Sequence, residues 1–519
     1  MTSAGRDPRS LGTAGLISIG GSVGCFLLTA LLGPSAMEPA LPGEPGQPPY
    51  SLTVHPSPYL VIGLVVVGIV AGVAGLGLCF TAVQRGWRPR PFPLLIAGLL
   101  VTAAFTLAPP IGSSDHLNYA AYGRMAATGH DPYTTQAVDL SGDPVIGAVE
   151  EWRTTPSVYG PIATAQEAFA SWIGGGSMRL TVFVLSFTNA LAFVITAVIL
   201  YRSAGGPQRR LRGVLLWTCN PLLLFHLVAG AHNDVLAIAP MVAAVALYSA
   251  SRGRKGAVGV LRVLATGALV GAGAAIKLPA ALVGGGPAWV LARRAVRGRG
   301  VRGRVDGLWG VDRGALLRLV ALFGAAGGVA LVAFTLAGPH AFDQLERASN
   351  MVSFATPWHL VDMLLGKGGQ RTIIKIGFFA LTVALVWLLA RGLPRGGDVE
   401  ESRRIAAALV LAWLFAAPYE LPWYDGFGWA VLAFLPWSRF DWILLAHTGA
   451  LSLAYLPARD PKLIGLPGGL SWLFTVVRPV VIPLVLTGLL IVLVRECRRS
   501  GSPAPAPGCS PRASAGSRG

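Results

Sequence analysis

Residues 111–135 read IGSSDHLNYAAYGRMAATGHDPYTT, and the same polar stretch closes on TTPSVYGP at 154–161. It is the longest polar interruption in the first half of a chain that is otherwise very apolar. Its acids, among them Asp115, Asp131, Asp139, Asp143 and Glu150, stand close to aromatic residues and to Gly and Pro turn signals. A plain linker needs no such mixture. Outward from it in both directions, runs of about 18 or more apolar residues recur, each long enough to cross a hydrocarbon core of about 30 Å. The stretch is therefore a large loop of a polytopic membrane protein.

Composition agrees. Of 519 residues, 53% are hydrophobic and only 13% are charged, against roughly 25% charged in soluble domains. The net charge of +18 is carried largely by Arg in short loops between apolar runs, where membrane topology places it, so nucleic acid is not an expected partner. Cys25, Cys79 and Cys219 fall inside apolar runs, and Cys497 and Cys509 lie near the C-terminus. Their spacing suggests neither a disulfide framework nor a metal site, and no metal or cofactor is expected. There is no Gly-rich phosphate loop leading into Lys-Ser/Thr and no βαβ pattern, so nothing points to nucleotide hydrolysis or to a soluble nucleotide-sugar domain.

Spans are expected at about 11–33, 58–82, 91–108, 179–201, 213–230, 234–250, 258–275, 279–294, 315–337, 372–391, 404–418, 427–437, 441–457 and 472–494. That makes 13 or 14, since 427–437 is short. PSAMEPA after the first run resembles a cleavage site, but the run exceeds a typical signal-peptide core, which favours an uncleaved helix. With both termini in the cytoplasm, the Arg-rich loops fall inside, including clusters at Arg252, Arg254 and Lys255 and from Arg293 to Arg318. The Lys/Arg-poor segments 34–57, 109–178, 338–371, 418–426 and 458–470 then fall outside. The expected organisation is a polytopic domain over 1–494, with large extracytoplasmic loops at 109–178 and 338–371. A disordered basic cytoplasmic tail follows at 495–519. Unusual polar residues gather on one face of the plasma membrane, as an enzyme acting on an extracytoplasmic substrate requires.

Asp115 opens a segment that reads as a helix to Met125, with Leu117, Tyr119 and Tyr122 at the interface. It is either a catalytic carboxylate or a helix cap, a task Ser113 or Ser114 performs equally well. Arg124 either binds lipid phosphate or pairs with an acid. Asp131 in GHDPY, beside Tyr133, is a second acid or an Asp-Pro turn starter. Tyr159 in SVYGP shapes a sugar subsite or redirects the chain. His232, Asn233 and Asp234 leave almost no loop between two spans, and polar residues at that depth are functional candidates or caps. Lys277 snorkels or holds a phosphate. In 338–371, PHAFDQLERASNM has the pattern of an interfacial helix; Trp358 belongs to an interfacial belt and His359 faces a lipid phosphate or belongs to that belt too. The loop APYELPWYDGFGW sets Trp423, Tyr424 and Asp425 among aromatics suited to a pyranose or to a belt.

SSDHLNYAAYGRM, GHDPY, SVYGP, AHND, KLPA and PWYD, in this order over about 100–430, resemble the actinobacterial polyprenol-phosphomannose-dependent α-1,6-mannosyltransferases of the MptA/MptB type, within the GT-C glycosyltransferase superfamily. The resemblance implies an all-α, GT-C-like transmembrane bundle whose extracytoplasmic loops carry short helices. It implies inverting transfer of mannose from polyprenyl phosphomannose, the lipid-linked donor, to the 6-hydroxyl of a mannan or lipoglycan acceptor. Asp115 matches the loop acid and is the expected base; Arg124, Lys277 and His359 are expected at the donor phosphate. Asp131, Tyr133, Tyr159, His232, Asn233, Asp234, Trp423, Tyr424 and Asp425 are expected around the sugars. The alternatives are another lipid-phosphate-sugar transferase of the superfamily (arabinosyl or protein mannosyl) or a polytopic lipid or sugar transporter. A transporter would show repeated halves and ionisable residues mid-span.

Overall fold

The structure, a computed structural model, describes residues 7–251, 256–296, 312–366 and 370–501. Helix accounts for all regular structure among them, apart from an isolated bridge between Ser35 and Glu38. The chain is an all-α, multi-pass membrane protein.

The first half comprises α1 (Pro8–Leu31), α2 (Pro58–Gln84), α3 (Pro91–Leu107), α4 (Asp115–Ala127), α5 (Pro161–Gly174), α6 (Met178–Ser203), α7 (Pro207–Leu216), α8 (Pro221–Ala229) and α9 (Asp234–Ala250). Proline stands at the start of six of these, where its fixed φ suits the first turn and its missing N–H would have no partner. Side-chain caps reinforce the starts: the Ser57 hydroxyl accepts from the Leu60 N–H, and that of Ser177 from the Leu180 N–H. The second half continues with α10 (Gly256–Ala274), a 3-10 turn (Leu278–Gly284), α11 (Gly285–Val296), α12 (Arg313–Ala337), α13 (Asp343–Ser349), α14 (Pro357–Leu365), α15 (Gln370–Gly392), α16 (Asp398–Ala416), α17 (Asp425–Leu432), α18 (Arg439–Ala454) and α19 (Ile482–Gly501).

Among the described residues, seven helices are long and apolar enough to cross a membrane, or eight if the α7–α8 pair, bent by 41°, is one span. Of the other expected segments, 404–418 lies largely in α16, a 19-residue helix with five charged residues in its first two turns, and most of the rest fold as shorter or interrupted helices. Asn220–Pro221 breaks one: the Asn220 side chain turns back to accept the N–H groups of Leu222 and Leu223. The 279–294 segment starts as a 3-10 turn, and α17 has only eight residues. α19 runs on to Gly501, so 495–501 is helical; 502–519, Arg252, Arg254, Lys255 and residues 297–311 of the basic cluster lie outside the described residues.

α1 and α2 pack backbone to backbone where Gly15 and Gly75 meet. A Cβ on either would stand 2.8–2.9 Å from the other's carbonyl oxygen, so only small residues permit this approach. The Arg212 guanidinium of α7 grips both oxygens of Asp441 on α18 (2.7 and 2.9 Å) and donates to the Leu432 carbonyl, with neither side chain more than 1% exposed. The segments expected outside gather at one end of the bundle. Arg459 joins Glu150 to the Ser35 and Glu38 carbonyls, Ser177 bonds Gln47, Ser353 bonds the Pro418 carbonyl, and Gly160 bonds the Ile276 carbonyl. Contacts among Ser249, Arg293, Arg294, Asp398, Glu401 and Arg403 tie α9, α11 and α16 elsewhere.

Candidate active site

The site is built on α4. Ser114 is its N-cap residue, and the Ser113 hydroxyl accepts the Asp115 N–H at 3.0 Å. The backbone start is thus served by serine, and the Asp115 carboxylate is left to face a cavity of about 560 Å³. Gly123 fixes the helix against α5: a Cβ there would sit 2.1 Å from the Glu167 carbonyl oxygen. Leu117, Tyr119 and Tyr122 do not rest at the membrane interface as expected. They are 0%, 1% and 4% exposed, because α4 is wedged between α5 and α6.

The turn between α8 and α9 backs this wall without lining the cavity. The His232 ring stacks on Trp423 at 3.5 Å, its Nδ1 lies 2.5 Å from the His226 carbonyl, and its Nε2 stands 3.7 Å from Asp115 Oδ2. Asp234 takes the Lys277 ammonium at 2.5 Å, and the same ammonium lies 3.8 Å from the centre of the Tyr424 ring. Asp115, Asn118, Tyr159, Lys277, Trp423 and Tyr424 line the cavity together. Elsewhere its lining is mainly apolar, including Leu278, Leu282, Phe334, Met351 and Phe378, with Lys375, Thr155 and Ser349 as polar exceptions. Around Asp115, the buried Asn118 Nδ2, His232 Nε2 and Asp234 Oδ2 have no hydrogen-bond partner. Buried polar atoms in that state mark a place where a polar ligand would be bound.

Burial pushes the Asp115 carboxyl up to about 7, helped by the Glu151 carboxylate and then Asp234, against the Lys277 ammonium and the Ser113 hydroxyl. A carboxylate balanced near neutral pH suits proton transfer at that pH.

The remaining sequence-derived residues lie away from the cavity wall, each for a visible reason. Arg124 bonds Asp143 at 2.9 Å, so its charge is met within the loop. Asp131 accepts the Tyr133 N–H at 2.9 Å and is a turn starter. Tyr133 is buried, with its hydroxyl 3.0 Å from that of Thr164. Asn233 bonds Glu167 at 3.3 Å behind the wall. His359 meets Phe354 edge-on at 5.1 Å, and Trp358 donates to the Ala416 carbonyl. Asp425 opens α17, which turns it inward to His447 (3.0 Å) and Thr448 (2.5 Å) while Trp423 and Tyr424 face the cavity. Glu420, Asp425 and His447 bring possible ligand atoms within 4.8 Å of one another. His447 Nδ1 is hydrogen-bonded to Asp425 at 3.0 Å, while its Nε2 stands 3.7 Å from Glu420 Oε2, beyond hydrogen-bond distance.

Sequence reasoning missed Asn118, Glu151, Tyr419, Trp413 and Lys375. Asn118 follows Asp115 by three residues and so shares its helix face, a signal that was available. The others reach the site only through tertiary packing.

The family model described as "Alpha-(1->6)-mannopyranosyltransferase, N-terminal domain" matches residues 19–293. The chain belongs to this family. The resemblance read from the loop motifs is thereby borne out. Within the α-(1→6)-mannopyranosyltransferase family, a probable member from Mycolicibacterium smegmatis is 27% identical over 376 residues, 66% of this chain and 64% of that one. Alpha-(1->6)-mannopyranosyltransferase A of Mycobacterium tuberculosis is 27% identical over 370 residues, 67% of this chain and 66% of that one. The alignments thus span just under two thirds of these relatives' length. Alpha-(1->6)-mannopyranosyltransferase B of Corynebacterium glutamicum is 25% identical over 71% of this chain and 62% of its own. Among solved structures, the archaeal oligosaccharyltransferase AglB from Archaeoglobus fulgidus covers 80% of this chain and 56% of its own at 12% identity, with a TM-score of 0.36, a likeness too distant to bear on mechanism.

Proposed function

We propose that this protein transfers mannose from polyprenyl phosphomannose to the 6-hydroxyl of a mannan or lipoglycan acceptor at the extracytoplasmic face, with inversion, and that Asp115 is the base. The observation that carries the reading is the cavity's two-sided character. One part offers Asp115, Asn118 and Tyr159 to a sugar, with unpartnered polar atoms close by; the rest is mainly apolar and suits a lipid chain.

In the reaction, the Asp115 carboxylate takes the proton of the acceptor hydroxyl as its oxygen bonds to the anomeric carbon. The bond from that carbon to the phosphate oxygen breaks, and its electron pair leaves with polyprenyl phosphate. The leaving group is already good, so one well-placed base suffices and no strong acid is needed. The Trp423 and Tyr424 faces suit the apolar sides of a pyranose. The relatives are named as α-(1→6)-mannopyranosyltransferases, the linkage proposed here.

The test is transfer of labelled mannose by the purified protein to a short α-1,6-mannoside, from polyprenyl phosphomannose or from a nucleotide-linked mannose. The reading expects transfer from the lipid donor alone, giving a new α-1,6 bond. Transfer from the nucleotide donor alone, or a different linkage, overturns it.

A further inference from the structure

A phosphate on a lipid donor needs a cation, and two of those expected to serve are already engaged. Arg124 is held by Asp143 away from the cavity. Lys277 lines the cavity, but its ammonium is neutralised by Asp234 at 2.5 Å and covered by the Tyr424 ring. A third cation lines the cavity. Lys375 sits five residues past the start of α15, on a stretch (Arg371–Gly392) apolar enough to cross a membrane, with mean hydropathy 2.3. It is exposed, and among the described residues its ammonium has no hydrogen bond or ion pair. Met351 and Phe378 line the same cavity.

A charged side chain within an apolar span is costly and commonly marks a functional position. Snorkelling to lipid headgroups would account for a lysine near a helix end, but not for its place in the wall of the cavity that also holds Asp115. A lysine serves a phosphate as a point charge, with three donors and no need of bidentate geometry. An unpaired ammonium beside an apolar wall matches the junction of an anionic headgroup and a hydrocarbon chain.

We propose that Lys375 receives the phosphate of the lipid-linked donor, an inference that rests on the lipid-donor reading given above. Lys277, paired with Asp234, then holds the cavity wall in place, and Lys375 supplies the unpaired positive charge.

Binding tests this without any transfer step. Trp152, Trp413 and Trp423 line the cavity, so intrinsic fluorescence can follow titration with polyprenyl monophosphate, with polyprenol of equal length, and with inorganic phosphate. These are added to wild type, Lys375→Gln and Lys375→Arg, each as the full chain in detergent. Wild type is expected to bind the phosphorylated lipid about tenfold or more tighter than polyprenol, the scale of a charge-assisted contact. Lys375→Gln is expected to bring the phosphorylated lipid down to the polyprenol level and leave polyprenol unchanged, while Lys375→Arg retains the preference. Inorganic phosphate alone should neither bind nor compete at millimolar concentration. Equal binding of the two lipids by wild type overturns the assignment. So does unchanged preference in Lys375→Gln, an equal loss of both lipids, or binding of free phosphate in place of the lipid. A Lys375-dependent preference in a protein that transfers no mannose supports this assignment and overturns the transfer reaction instead.

Discussion

His232 Nε2 stands 3.7 Å from Asp115 Oδ2, while His232 Nδ1 lies 2.5 Å from a backbone carbonyl that can only accept. The proton therefore resides on Nδ1, and Nε2 is a bare acceptor facing the carboxylate. At 3.7 Å the two atoms share no hydrogen bond; on the proposed reading, the proton that Asp115 would take, or a bound hydroxyl, is what would link them. Replacing His232 with Gln should lower kcat by about tenfold to a hundredfold, below the full effect of a general base, with donor KM changed by less than about threefold. Steady-state kinetics check this; a loss confined to KM would make His232 a binding residue only.

The Asp115 carboxyl is raised to about 7, first by burial and then by Glu151. Only the ionised form is a base, so kcat/KM should fall as pH drops below about 7. Glu151→Gln removes one raising charge and should move that acid limb to lower pH. The sign for stability is opposite. A carboxyl whose pKa rises on folding favours the fold while protonated, and that contribution is lost as pH climbs through about 7. Asp115→Asn should therefore melt above wild type at pH 8 and level with it near pH 4. An acid limb unmoved in Glu151→Gln would remove that residue from the site's electrostatics.

Lys277 and Asp234 form an ion pair 17% and 0% exposed by side chain. Removing one partner strands the other, at a cost of about 3–5 kcal/mol for buried pairs. Lys277→Met and Asp234→Asn should each lower the unfolding midpoint clearly, and the double variant should lose less than the sum. Additive losses in a double-mutant cycle would mean that the pair is not coupled.

Gly123 is the contact by which α4 meets α5, its absent Cβ facing the Glu167 carbonyl at 2.1 Å. Overpacking there should cost about 1–3 kcal/mol and shift α4, carrying Asp115 with it. Gly123→Ala is expected to lower both melting temperature and kcat, and a variant with wild-type values for both would show that the approach is not tight.

Much of this was legible in advance, for physical reasons that differ by element. Apolar runs and Arg distribution reveal spans without any tertiary knowledge, so the all-α membrane class and the convergence of 34–57, 109–178 and 418–426 at one end followed from composition along the chain. The Asp115 helix was legible because Ser113 and Ser114 precede a helical pattern. What stayed hidden depends on orientation. PWYD places three polar or aromatic residues together, yet the start of α17 turns Asp425 away from Trp423 and Tyr424. Arg124 and Asp143 are 19 residues apart, and their pairing exists only once the loop has folded back. Lys375 lies in a segment that reads as a plain span; only the cavity beside it distinguishes it from a snorkelling lysine.

The central claim, that Asp115 is the base of a mannosyl transfer from a lipid carrier, is tested most directly by Asp115→Asn. The amide keeps size and shape but cannot accept the proton. With polyprenyl phosphomannose and a short α-1,6-mannoside, the account expects the variant, with its fold checked by thermal unfolding, to lose about a hundredfold or more in kcat. Its binding of the lipid donor should be retained. Transfer by the folded variant at the wild-type rate would contradict the account and place the base elsewhere.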